Sequence, residues 1–502
     1  MTRFIAGNGW HRSPPNRFFY FLFLLAEVTT VRYRTIFSLI LAMVMMGTSR
    51  GEEPVQPPNI ILMMADDLGW GDLKSFRPES PIHTPHLDEM AASGITFDRF
   101  YAAAPVCSPT RGSCLTGRHP FRYGIYFANT GQLKTEELTL AELLQKQGYK
   151  TGHFGKWHLG TLTTTEKDAN RGGPKSTEVY SPPWENGFDT CFSTESKVPT
   201  WDPMRKPKTG PTKIGWDSLG ADEEDAPYGT YYWNERGEKV TDNLDGDDSR
   251  VLMDRAVPFV KQAAGEKKPF FAVIWFHTPH LPVVAGPKYA KMYSQYDLHE
   301  RNYYGCVTAM DDQIGRLRKT LADAGVTDNT MLWFCSDNGP EGNAKSPGSA
   351  GDFRGRKRSL YEGGVRVPGI LQWPSQVKPG RVTSFPAVTS DYLPTILDTL
   401  SVQYAGARPL DGISLLPVLQ GTQSERTEPI GFQSRNQVAW TTNRYKLFSG
   451  NGGKTLELYD LLNDPSEQND LSSSHPEIVA RLWDEFRQWQ SSCQESDQGS
   501  DY

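Results

Sequence analysis

Four apolar runs, each followed by polar side chains, set the pattern of the chain from residue 59 onward. They read NIILMMA (59–65), YKTGHFGKW (149–157), PFFAVIWF (269–276) and TMLWFCS (330–336). Each run is rich in β-branched or aromatic residues, which favours buried strands. Amphipathic segments at 139–148, 249–262 and 307–325 lie between the runs and predict helices. This alternation predicts an α/β fold with a large, mostly parallel mixed sheet sandwiched by helices.

Two stretches depart from this pattern. Residues 161–248 are rich in Pro, Gly, Asp and Trp and predict a long irregular insertion on the substrate side of the sheet. After about residue 410 the segments shorten into hairpin-like strands and a closing amphipathic helix at 475–490. We therefore expect a large domain over 52–410, a smaller C-terminal α+β subdomain on an antiparallel sheet over 411–495, and a tail over 496–502.

The first 51 residues have the composition of a targeting segment. The apolar run Thr35–Gly47 follows two arginines and precedes small residues, which is the three-part pattern of a secretory signal. An earlier apolar run, 18–28, is interrupted by an acidic residue, and each run is short for a bilayer span. We expect cleavage near 49–51 and export to a periplasmic, extracellular or lysosome-like compartment, with no stable membrane insertion afterwards. A two-pass membrane anchor is the alternative.

Charge and cysteine usage narrow the class of protein. The formal net charge is −6, and the basic residues are scattered rather than gathered in a stripe, which argues against a nucleic-acid partner. Six cysteines in 502 residues are too few and too dispersed for a disulfide framework. One cysteine can therefore have a chemical role.

Polar side chains end or follow the four predicted strands. These residues are Asp66 and Asp67, then Lys156 and His158, then His277 and His280, and finally Asp337 and Asn338. Because the carboxyl ends of parallel strands meet at one edge of a sheet, we expect the four groups to converge. The oxygen donors of Asp66, Asp67, Asp337 and Asn338 suit Ca²⁺ or Mg²⁺ and disfavour zinc. On spacing alone, adjacent carboxylates can also form a solvated turn.

Two other acidic groups are interpreted as surface features. Asp311 and Asp312 lie inside a predicted helix, where neighbouring side chains point apart. The run of Asp242, Asp245, Asp247 and Asp248 lacks the spacing of a calcium-binding EF-hand and predicts a loop.

Cys107 lies in the segment APVCSPTRGSCLTGR, between a predicted irregular loop and a predicted helix. Arg111 follows four residues later, so on a helix it shares a face with Cys107. The start of such a helix also offers backbone N–H groups to an anion. Three interpretations stay open from spacing alone: a nucleophile, a buried structural cysteine, or a disulfide between Cys107 and Cys114.

Six motifs, taken in order, resemble one enzyme family. They are NIILMMADDLGWGD, CSPTR followed by LTGR, GKWHLG, PHLP, SDNG and GRKRSLYEGGVRVP. The segment around Cys107 resembles the signature CxPxR…LTG that the formylglycine-generating enzyme reads. The set resembles the formylglycine-dependent type I sulfatases of the arylsulfatase A and N-acetylgalactosamine-6-sulfatase type. The resemblance covers residues 58–495 and implies an alkaline-phosphatase-like fold and sulfuric ester hydrolysis.

The resemblance also implies the composition of the site. The formylglycine-generating enzyme converts Cys107 to 3-oxoalanine (formylglycine). One Ca²⁺ per chain, with Mg²⁺ as the alternative, is held by Asp66, Asp67, Asp337, Asn338 and the converted Cys107. The residues implied around the sulfate are Arg111, Lys156, His158, His280 and Lys357. The implied substrate is a sulfated carbohydrate or an aryl sulfate.

In the implied reaction, one hydroxyl of hydrated formylglycine attacks sulfur after losing its proton to Asp337. His280, aided by Lys357, protonates the leaving alcohol oxygen. His158 takes the proton of the second hydroxyl, so that sulfate leaves by C–O cleavage and the aldehyde is regenerated. Arg111 and Lys156, again with Lys357, hold the sulfonate oxygens.

Several assignments depend on finer detail. The register of Lys357 rests on the YEGG that follows it, because GRKRS stands where the family more often has GKGT. His277 is a candidate for contact with the sugar, or for contact with the residues that surround the sulfate rather than with the sulfate itself. Ser193 and Thr194 are interpreted mainly as loop residues, with substrate contact as the alternative. The indoles of the insertion could stack on sugar rings or pack loops; they are Trp184, Trp201, Trp216 and Trp233.

Two other functions compete with a sulfatase. A phosphonate monoester or phosphodiester hydrolase of the same superfamily would use the same modified cysteine. An inactive protein that binds sulfated glycans would keep affinity with Cys107 unconverted.

Overall fold

The four apolar runs form the centre of one large sheet. The computed structural model describes residues 56–209, 216–217, 226–406 and 408–502. The strands of the large sheet are β1 (Asn59–Ala65), β2 (Ile95–Tyr101), β3 (Lys150–Lys156), β4 (Thr190–Thr194), β5 (Tyr232–Asn234), β6 (Phe270–Trp275), β7 (Thr330–Ser336), β8 (Arg366–Gln372), β9 (Arg381–Thr383) and β10 (Ala387–Val388). Two of the predicted strands, β1 and β7, have the predicted bounds, and β3 and β6 each differ from theirs by one residue at either end.

The order of strands in this sheet is β9-β2-β8-β7-β1-β6-β3-β4-β5, and β10 also pairs with β2. The consecutive strands β7, β1, β6, β3 and β4 are all parallel. β8 runs antiparallel to both β7 and β2, and β5 runs antiparallel to β4. The predicted mixed, mostly parallel sheet is confirmed, and its five parallel strands end at one edge.

Alternate side chains of the central strand enter two separate cores. Ile60, Leu62 and Met64 of β1 belong to one apolar cluster, and Ile61 and Met63 belong to the other. This period of two is what a strand buried on both faces requires. Helices therefore cover both faces of the sheet.

The helices have the following bounds: α1 (Pro85–Ala92), α2 (Cys107–Thr116), α3 (Leu140–Lys146), α4 (Asp248–Gly265), α5 (Pro287–Met292), α6 (Leu298–Asp323), α7 (Glu362–Val365), α8 (Tyr392–Thr399), α9 (Leu416–Leu419) and α10 (Pro476–Asp497). Apolar side chains of α2, α3 and α8 enter the first core, and those of α1, α4 and α6 enter the second. Among the described residues, no helix is long and apolar enough to cross a bilayer.

A separate antiparallel sheet follows the large one. Its strands are β11 (Ile430–Ser434), β12 (Gln437–Thr441), β13 (Tyr445–Ser449) and β14 (Glu457–Asp460), paired in chain order. Leu482 and Phe486 of α10 pack with Trp440 and Leu447 in a small core of their own. The predicted C-terminal antiparallel sheet and closing helix are confirmed. The boundaries at 52, 410 and 495 stay predictions, because residues 57–502 form one compact unit.

The insertion prediction was wrong in part. Residues 161–248 contain β4 and β5, which extend the large sheet beyond β3. Short β-branched or aromatic segments such as TCFST carry too little pattern to stand out among turn residues. The predicted leader, residues 1–51, lies outside the described residues, and so do parts of the insertion.

Helix starts differ from the predictions where an aspartate caps the helix. The helix predicted from Val307 begins at Leu298, because the side chain of Asp297 accepts the backbone N–H of Glu300 at 2.9 Å. Asp247 likewise accepts the N–H of Arg250 at 3.0 Å and caps α4. The loop interpretation of Asp247 and Asp248 is therefore wrong, since Asp248 is the first residue of α4 and is buried.

Asp311 is a second acidic residue whose surface interpretation is wrong. Its side chain is buried and accepts the backbone N–H groups of His86 and Leu87 at 3.0 and 2.7 Å. These donors lie in the first turn of α1, where backbone N–H groups have no partner within the helix. Asp312 remains partly exposed and pairs with Lys288 at 2.8 Å.

Candidate active site

Four adjacent parallel strands deliver most of the predicted site residues to one edge of the sheet. β1 is followed by Asp66 and Asp67, β7 by Asp337 and Asn338, and β6 by His280, whereas β3 ends at Lys156 with His158 just beyond. Asp67 and His158 have φ values of 72° and 59°. Non-glycine residues in this left-handed region are strained and are concentrated at functional sites.

Cys107 is the first residue of α2, and its side chain enters the same edge. The thiol is buried, and Sγ lies 3.4 Å from Asp66 Oδ1. Burial raises the pKa of the thiol, and the nearby Asp337 carboxylate adds to the shift. An unmodified Cys107 would therefore be a neutral thiol and a weak nucleophile at neutral pH.

The other thiols do not pair with Cys107. All six cysteines are buried and free. Cys114 lies on the same helix, about 10 Å further along its axis, so its sulfur cannot reach Cys107. The disulfide alternative is therefore excluded by the structure.

Asp66 accepts from two cations at the centre of the site. Lys156 Nζ lies 2.7 Å from Asp66 Oδ2, and the Arg111 guanidinium lies 3.5 Å from the same oxygen. Burial by itself would raise the pKa of Asp66, but the positive charges of Lys156 and Arg111 outweigh it and hold the pKa well below its usual range. Asp66 is therefore a carboxylate.

Arg111 joins Asp66 to Asp337 from α2. One of its N–H groups donates to Asp337 Oδ2 at 2.8 Å, and another donates to the Lys156 carbonyl at 3.1 Å. The guanidinium also lies over the Trp275 ring, 5.2 Å from its centroid. The predicted common face of Cys107 and Arg111 is confirmed by α2.

Asp67 and Asn338 form the second half of the cluster. Lys357 Nζ lies 2.6 Å from Asp67 Oδ1, and Asn338 Nδ2 donates to the same oxygen at 2.7 Å. The backbone N–H of Asp67 donates to Asp337 Oδ1 at 3.0 Å. Burial raises the pKa of Asp337 to about 7, and the Asp66 carboxylate acts in the same direction.

His280 faces Asp67 with one ring nitrogen. Its Nδ1–H donates to the Leu281 carbonyl at 2.7 Å, which leaves Nε2 as the free nitrogen, 3.7 Å from Asp67 Oδ2. Burial lowers the pKa of His280 to about 3, so the ring is neutral before substrate arrives. Nε2 is therefore the atom that can exchange a proton in the site.

His158 is oriented by an amide that the sequence did not predict. Its Nε2 lies 2.7 Å from Asn129 Oδ1, which also accepts from Asn170 Nδ2 at 3.1 Å. Because that oxygen can only accept, the His158 proton must lie on Nε2. Nδ1 is buried without a hydrogen-bond partner and is a free acceptor.

The cluster fits a divalent cation with oxygen ligands. One ligand atom from each of Asp66, Asp67, Cys107 and His280 lies within 4.8 Å of all the others. Asn338 Oδ1 is buried without a hydrogen-bond partner, as expected of an atom reserved for a ligand. With Cys107 as a thiol the set contains sulfur, whereas conversion to formylglycine would replace that sulfur with oxygen and favour Ca²⁺ or Mg²⁺.

Several predicted contact residues lie away from this cluster. His277 is buried between Asp248 and Thr194, at 2.8 and 2.7 Å, so the sugar-contact interpretation is wrong. Ser193 and Thr194 are buried within β4 and are not loop residues. Ser193 Oγ bonds the ring of His153 at 2.7 Å. These residues stabilise the sheet behind the site.

The indoles of the insertion give no support to sugar stacking. Trp233 is buried and donates to Asp168 at 2.8 Å, and Trp184 packs against the first core. Trp201 is half-buried and packs beside Gly286. The side chain of Trp216 lies outside the described residues.

Sequence reasoning also missed Lys197. It follows β4, whose carboxyl end reaches the same edge as β3, and its side chain is half-buried. Burial lowers the pKa of Lys197, and the ammonium groups of Lys156 and Lys357 lower it further. Recognising β4 from the sequence would have placed Lys197 at this edge.

The chain is similar to known enzymes over most of its length. A family model described as Sulfatase matches residues 58–402. The chain belongs to the sulfatase family. A second model, described as N-sulphoglucosamine sulphohydrolase, C-terminal, matches residues 351–492 of this sulfatase. The predicted family is thereby confirmed, and the activity that it carries is hydrolysis of sulfuric esters.

Individual relatives agree with that family. N-acetylgalactosamine-6-sulfatase of Sus scrofa is 33% identical over 409 residues, which cover 78% of this chain and 71% of that protein. Arylsulfatase A of Homo sapiens is 31% identical over 476 residues, covering 87% and 89%. The crystal structure of Ps i-CgsB matches with a TM-score of 0.75 and 28% identity, covering 88% of this chain and 94% of that one. Its complex with k-i-k-neocarrahexaose matches with a TM-score of 0.74 and 27% identity over the same shares.

Proposed function

We propose that this sulfatase removes sulfate from a sulfated carbohydrate, using Cys107 as formylglycine beside one Ca²⁺. The observation that carries the proposal is the position of Cys107. Its side chain, at the start of α2, meets a buried carboxylate cluster and two histidines, each with one free ring nitrogen. Neither a buried structural cysteine nor a solvated turn requires that arrangement.

Formylglycine at position 107 would supply a hydrated aldehyde with two hydroxyls, one to attack sulfur and the other to expel sulfate by C–O cleavage as the aldehyde reforms. In the first step an O–S bond forms and the bond from sulfur to the substrate oxygen breaks. In the second step sulfate leaves, and water rehydrates the aldehyde. The sum is one sulfate ester and one water giving one alcohol and hydrogen sulfate.

Asp66, Asp67, Asp337 and Asn338 would hold the calcium ion, which supplies positive charge to polarise oxygen ligands. Asn338 contributes the amide oxygen that has no protein partner. Mg²⁺ is the alternative, because the same oxygen donors suit it.

The fixed cations of the site bind the sulfate group. Arg111, Lys156 and Lys357 balance the charges of Asp66, Asp67 and Asp337. When a divalent ion is added, the net charge of the cluster becomes two positive units. In a buried site this charge stabilises the additional negative charge that develops on the sulfonate oxygens in the transition state.

Three side chains move protons in the proposed reaction. Asp337, a buried carboxylate that Arg111 holds at 2.8 Å, takes the proton of the attacking hydroxyl. His280 gives a proton from Nε2 to the leaving alcohol oxygen, because the negative charge of a bound sulfate ester raises its pKa. His158 accepts the proton of the second hydroxyl at Nδ1, the nitrogen that Asn129 leaves free.

The substrate class and the maturation partner also belong to the proposal. A sulfated carbohydrate is supported by a relative named N-acetylgalactosamine-6-sulfatase and by the neocarrahexaose complex of Ps i-CgsB. The formylglycine-generating enzyme would convert Cys107, and the apolar run at 35–47 would direct export.

The proposal is tested with protein produced together with a formylglycine-generating enzyme. Mass spectrometry of the peptide containing residue 107 should show the aldehyde, and turnover should rise with the converted fraction. The same preparation is compared on 4-nitrophenyl sulfate and on bis(4-nitrophenyl) phosphate. Preference for the phosphodiester would favour the competing hydrolase, whereas unconverted Cys107 with retained glycan affinity would favour an inactive binder.

A further inference from the structure

A cavity adjoins the reactive cluster on the side of Lys357. Its volume is about 750 Å³, and its walls are Arg77 and the segments 342–351 and 353–359. Four of the lining residues carry positive charge: Arg77, Arg356, Lys357 and Arg358. We call this cavity the arginine groove.

Two of the groove arginines lack a carboxylate partner. Arg77 donates from Nε to the Gly71 carbonyl at 3.0 Å, and Arg356 donates to the carbonyls of Glu341 and Gly348 at 2.9 and 2.6 Å. Neither has an ion pair with a described residue, and Arg356 Nε is buried without a hydrogen-bond partner. Carbonyl contacts orient these guanidinium groups; Asp72 and Glu341 act on the charge of Arg356 from a distance, but neither forms an ion pair with it.

Arg358 differs because it is neutralised. Its guanidinium forms two parallel contacts with Glu341, at 2.6 and 2.8 Å. Glu341 also lies 3.6 Å from Lys357 Nζ. Among the described residues that line the groove, Arg77 and Arg356 are therefore the two arginines without an ion pair.

The groove and the reactive cluster share a wall. Lys357 lines the groove while its ammonium contacts Asp67. The backbone N–H of Arg358 donates to the Pro105 carbonyl at 2.8 Å, two residues before Cys107. An extended substrate with its reacting sulfate at Cys107 can therefore continue past Lys357 into the groove.

We propose that the arginine groove binds a second sulfate ester of the substrate, which makes this enzyme selective for multiply sulfated carbohydrates. This inference rests on the proposed function. A planar guanidinium presents parallel N–H donors that match two oxygens of a tetrahedral oxyanion, and it is less strongly hydrated than an ammonium. The GRKRS segment supplies Arg356 where the family more often has GKGT, so the preference would be a property of this chain.

The experiment compares a compact polyanion with a single anion. Sucrose octasulfate and inorganic sulfate are titrated calorimetrically into the full chain, the variants Arg77→Gln and Arg356→Gln, and the control Arg487→Gln. Arg487 is an exposed arginine of α10 paired with Asp484, so its loss changes the net charge equally. The wild type should bind the octasulfate at least about tenfold more tightly than sulfate.

Each groove variant should raise the Kd for the octasulfate about tenfold and change that for sulfate less than twofold, because a charge-assisted contact is lost outside the reactive cluster. Arg487→Gln should change neither value.

Equal affinities for the two probes in the wild type, or an unchanged octasulfate Kd in both groove variants, would overturn the proposal. If Arg356→Gln does not fold, as judged by thermal unfolding, Arg77→Gln decides. Binding needs no turnover, so a failure of the proposed sulfatase chemistry would appear separately, as absent hydrolysis of 4-nitrophenyl sulfate.

Discussion

Two buried clusters in this protein each pair carboxylates with cations, but their surroundings differ. At the reactive edge, three carboxylates meet three cations. In the second cluster, Lys446 of β13 lies between Glu362 and Glu467, with 2.9 Å to each carboxylate. Glu362 also accepts from Tyr101 at 2.9 Å, and its backbone N–H donates to Glu467 at 2.6 Å. Lys446 thus ties the small sheet to α7.

The difference shows that buried charge alone does not mark an active site. The Lys446 cluster is enclosed by the two sheets, and Glu467 Oε1, which accepts no hydrogen bond, lies 2.9 Å from Lys446 Nζ. The reactive cluster lies at the carboxyl ends of parallel strands and keeps atoms without partners, namely Asn338 Oδ1 and His158 Nδ1. Those free atoms are the ones that a metal or a substrate can engage.

The largest expected effect comes from removing the predicted nucleophile. Cys107→Ala should lower turnover of 4-nitrophenyl sulfate by about 10⁴-fold or more, because the covalent step is lost. Its urea midpoint should stay close to that of the wild type. Cys114→Ala, on the same helix, is the matched control and should remain active; comparable loss in both variants would contradict the assignment.

The next largest effect concerns the Lys446 cluster. Lys446→Met should lower the free energy of unfolding by about 3–5 kcal/mol, since two buried carboxylates lose their shared cation. The kcat of the folded fraction should stay within about twofold, because the cluster is not in the site. Urea denaturation and steady-state kinetics check both parts. A variant that keeps the stability of the wild type but loses activity would show that the Lys446 cluster serves catalysis and not stability.

The proposed set of calcium ligands is tested by replacing Asn338. Asn338→Leu should weaken Ca²⁺ binding by about 10–100-fold, because it removes a ligand oxygen of the proposed set. Calorimetric titration after chelation measures the affinity directly. Asn302→Leu, a buried asparagine outside the site, is the control. Equal calcium affinity in the wild type and Asn338→Leu would place the ion elsewhere.

A smaller effect is expected at the residue that orients His158. Asn129→Ala should lower kcat about tenfold with little change in KM, because Nδ1 of His158 is no longer held as the free acceptor. Asn129→Asp keeps an acceptor and should recover part of the loss. Steady-state kinetics measure both variants. A change in KM with an unchanged kcat in both would exclude a role of Asn129 in orienting His158.

The smallest effect is a pH dependence of stability in the Lys446 cluster. Burial raises the pKa of Glu467 to about 7, although Lys446 opposes the shift. The unfolded chain releases this proton near pH 4.3, so stability from this group is complete below that pH and is lost as the pH rises toward 7. Glu467→Gln should flatten this decline. Urea unfolding at pH 5 and pH 8 measures it, and parallel slopes for the two proteins would refute it.

The sequence predicted the centre of the fold better than its margins. β1 and β7 are continuous apolar runs, so their bounds and the position of Asp66, Asp67, Asp337 and Asn338 followed from pattern alone. β8, which reads RVPGILQ, contains proline and glycine and gave no such signal. The roles of Lys357 and His280 came from resemblance to the family rather than from spacing.

Other features depend on tertiary contacts that no local pattern records. Asn129 reaches His158 across 29 positions, and Asp311 caps a helix 224 positions away at Leu87. Buried aspartates that accept backbone N–H groups look like surface charges in a sequence. The same reason explains why His277, held by Asp248, was interpreted as a possible sugar contact.

The depth of residue 107 imposes an order on biogenesis. Its sulfur is enclosed by α2 and the sheet edge once the large domain has closed, with only 2% of the residue's surface exposed. If Cys107 is converted as proposed, the modifying enzyme would have to reach this sulfur before the domain closes. A chain that folds first should be trapped as a stable, inactive protein, and only unfolding would give it a second chance at maturation.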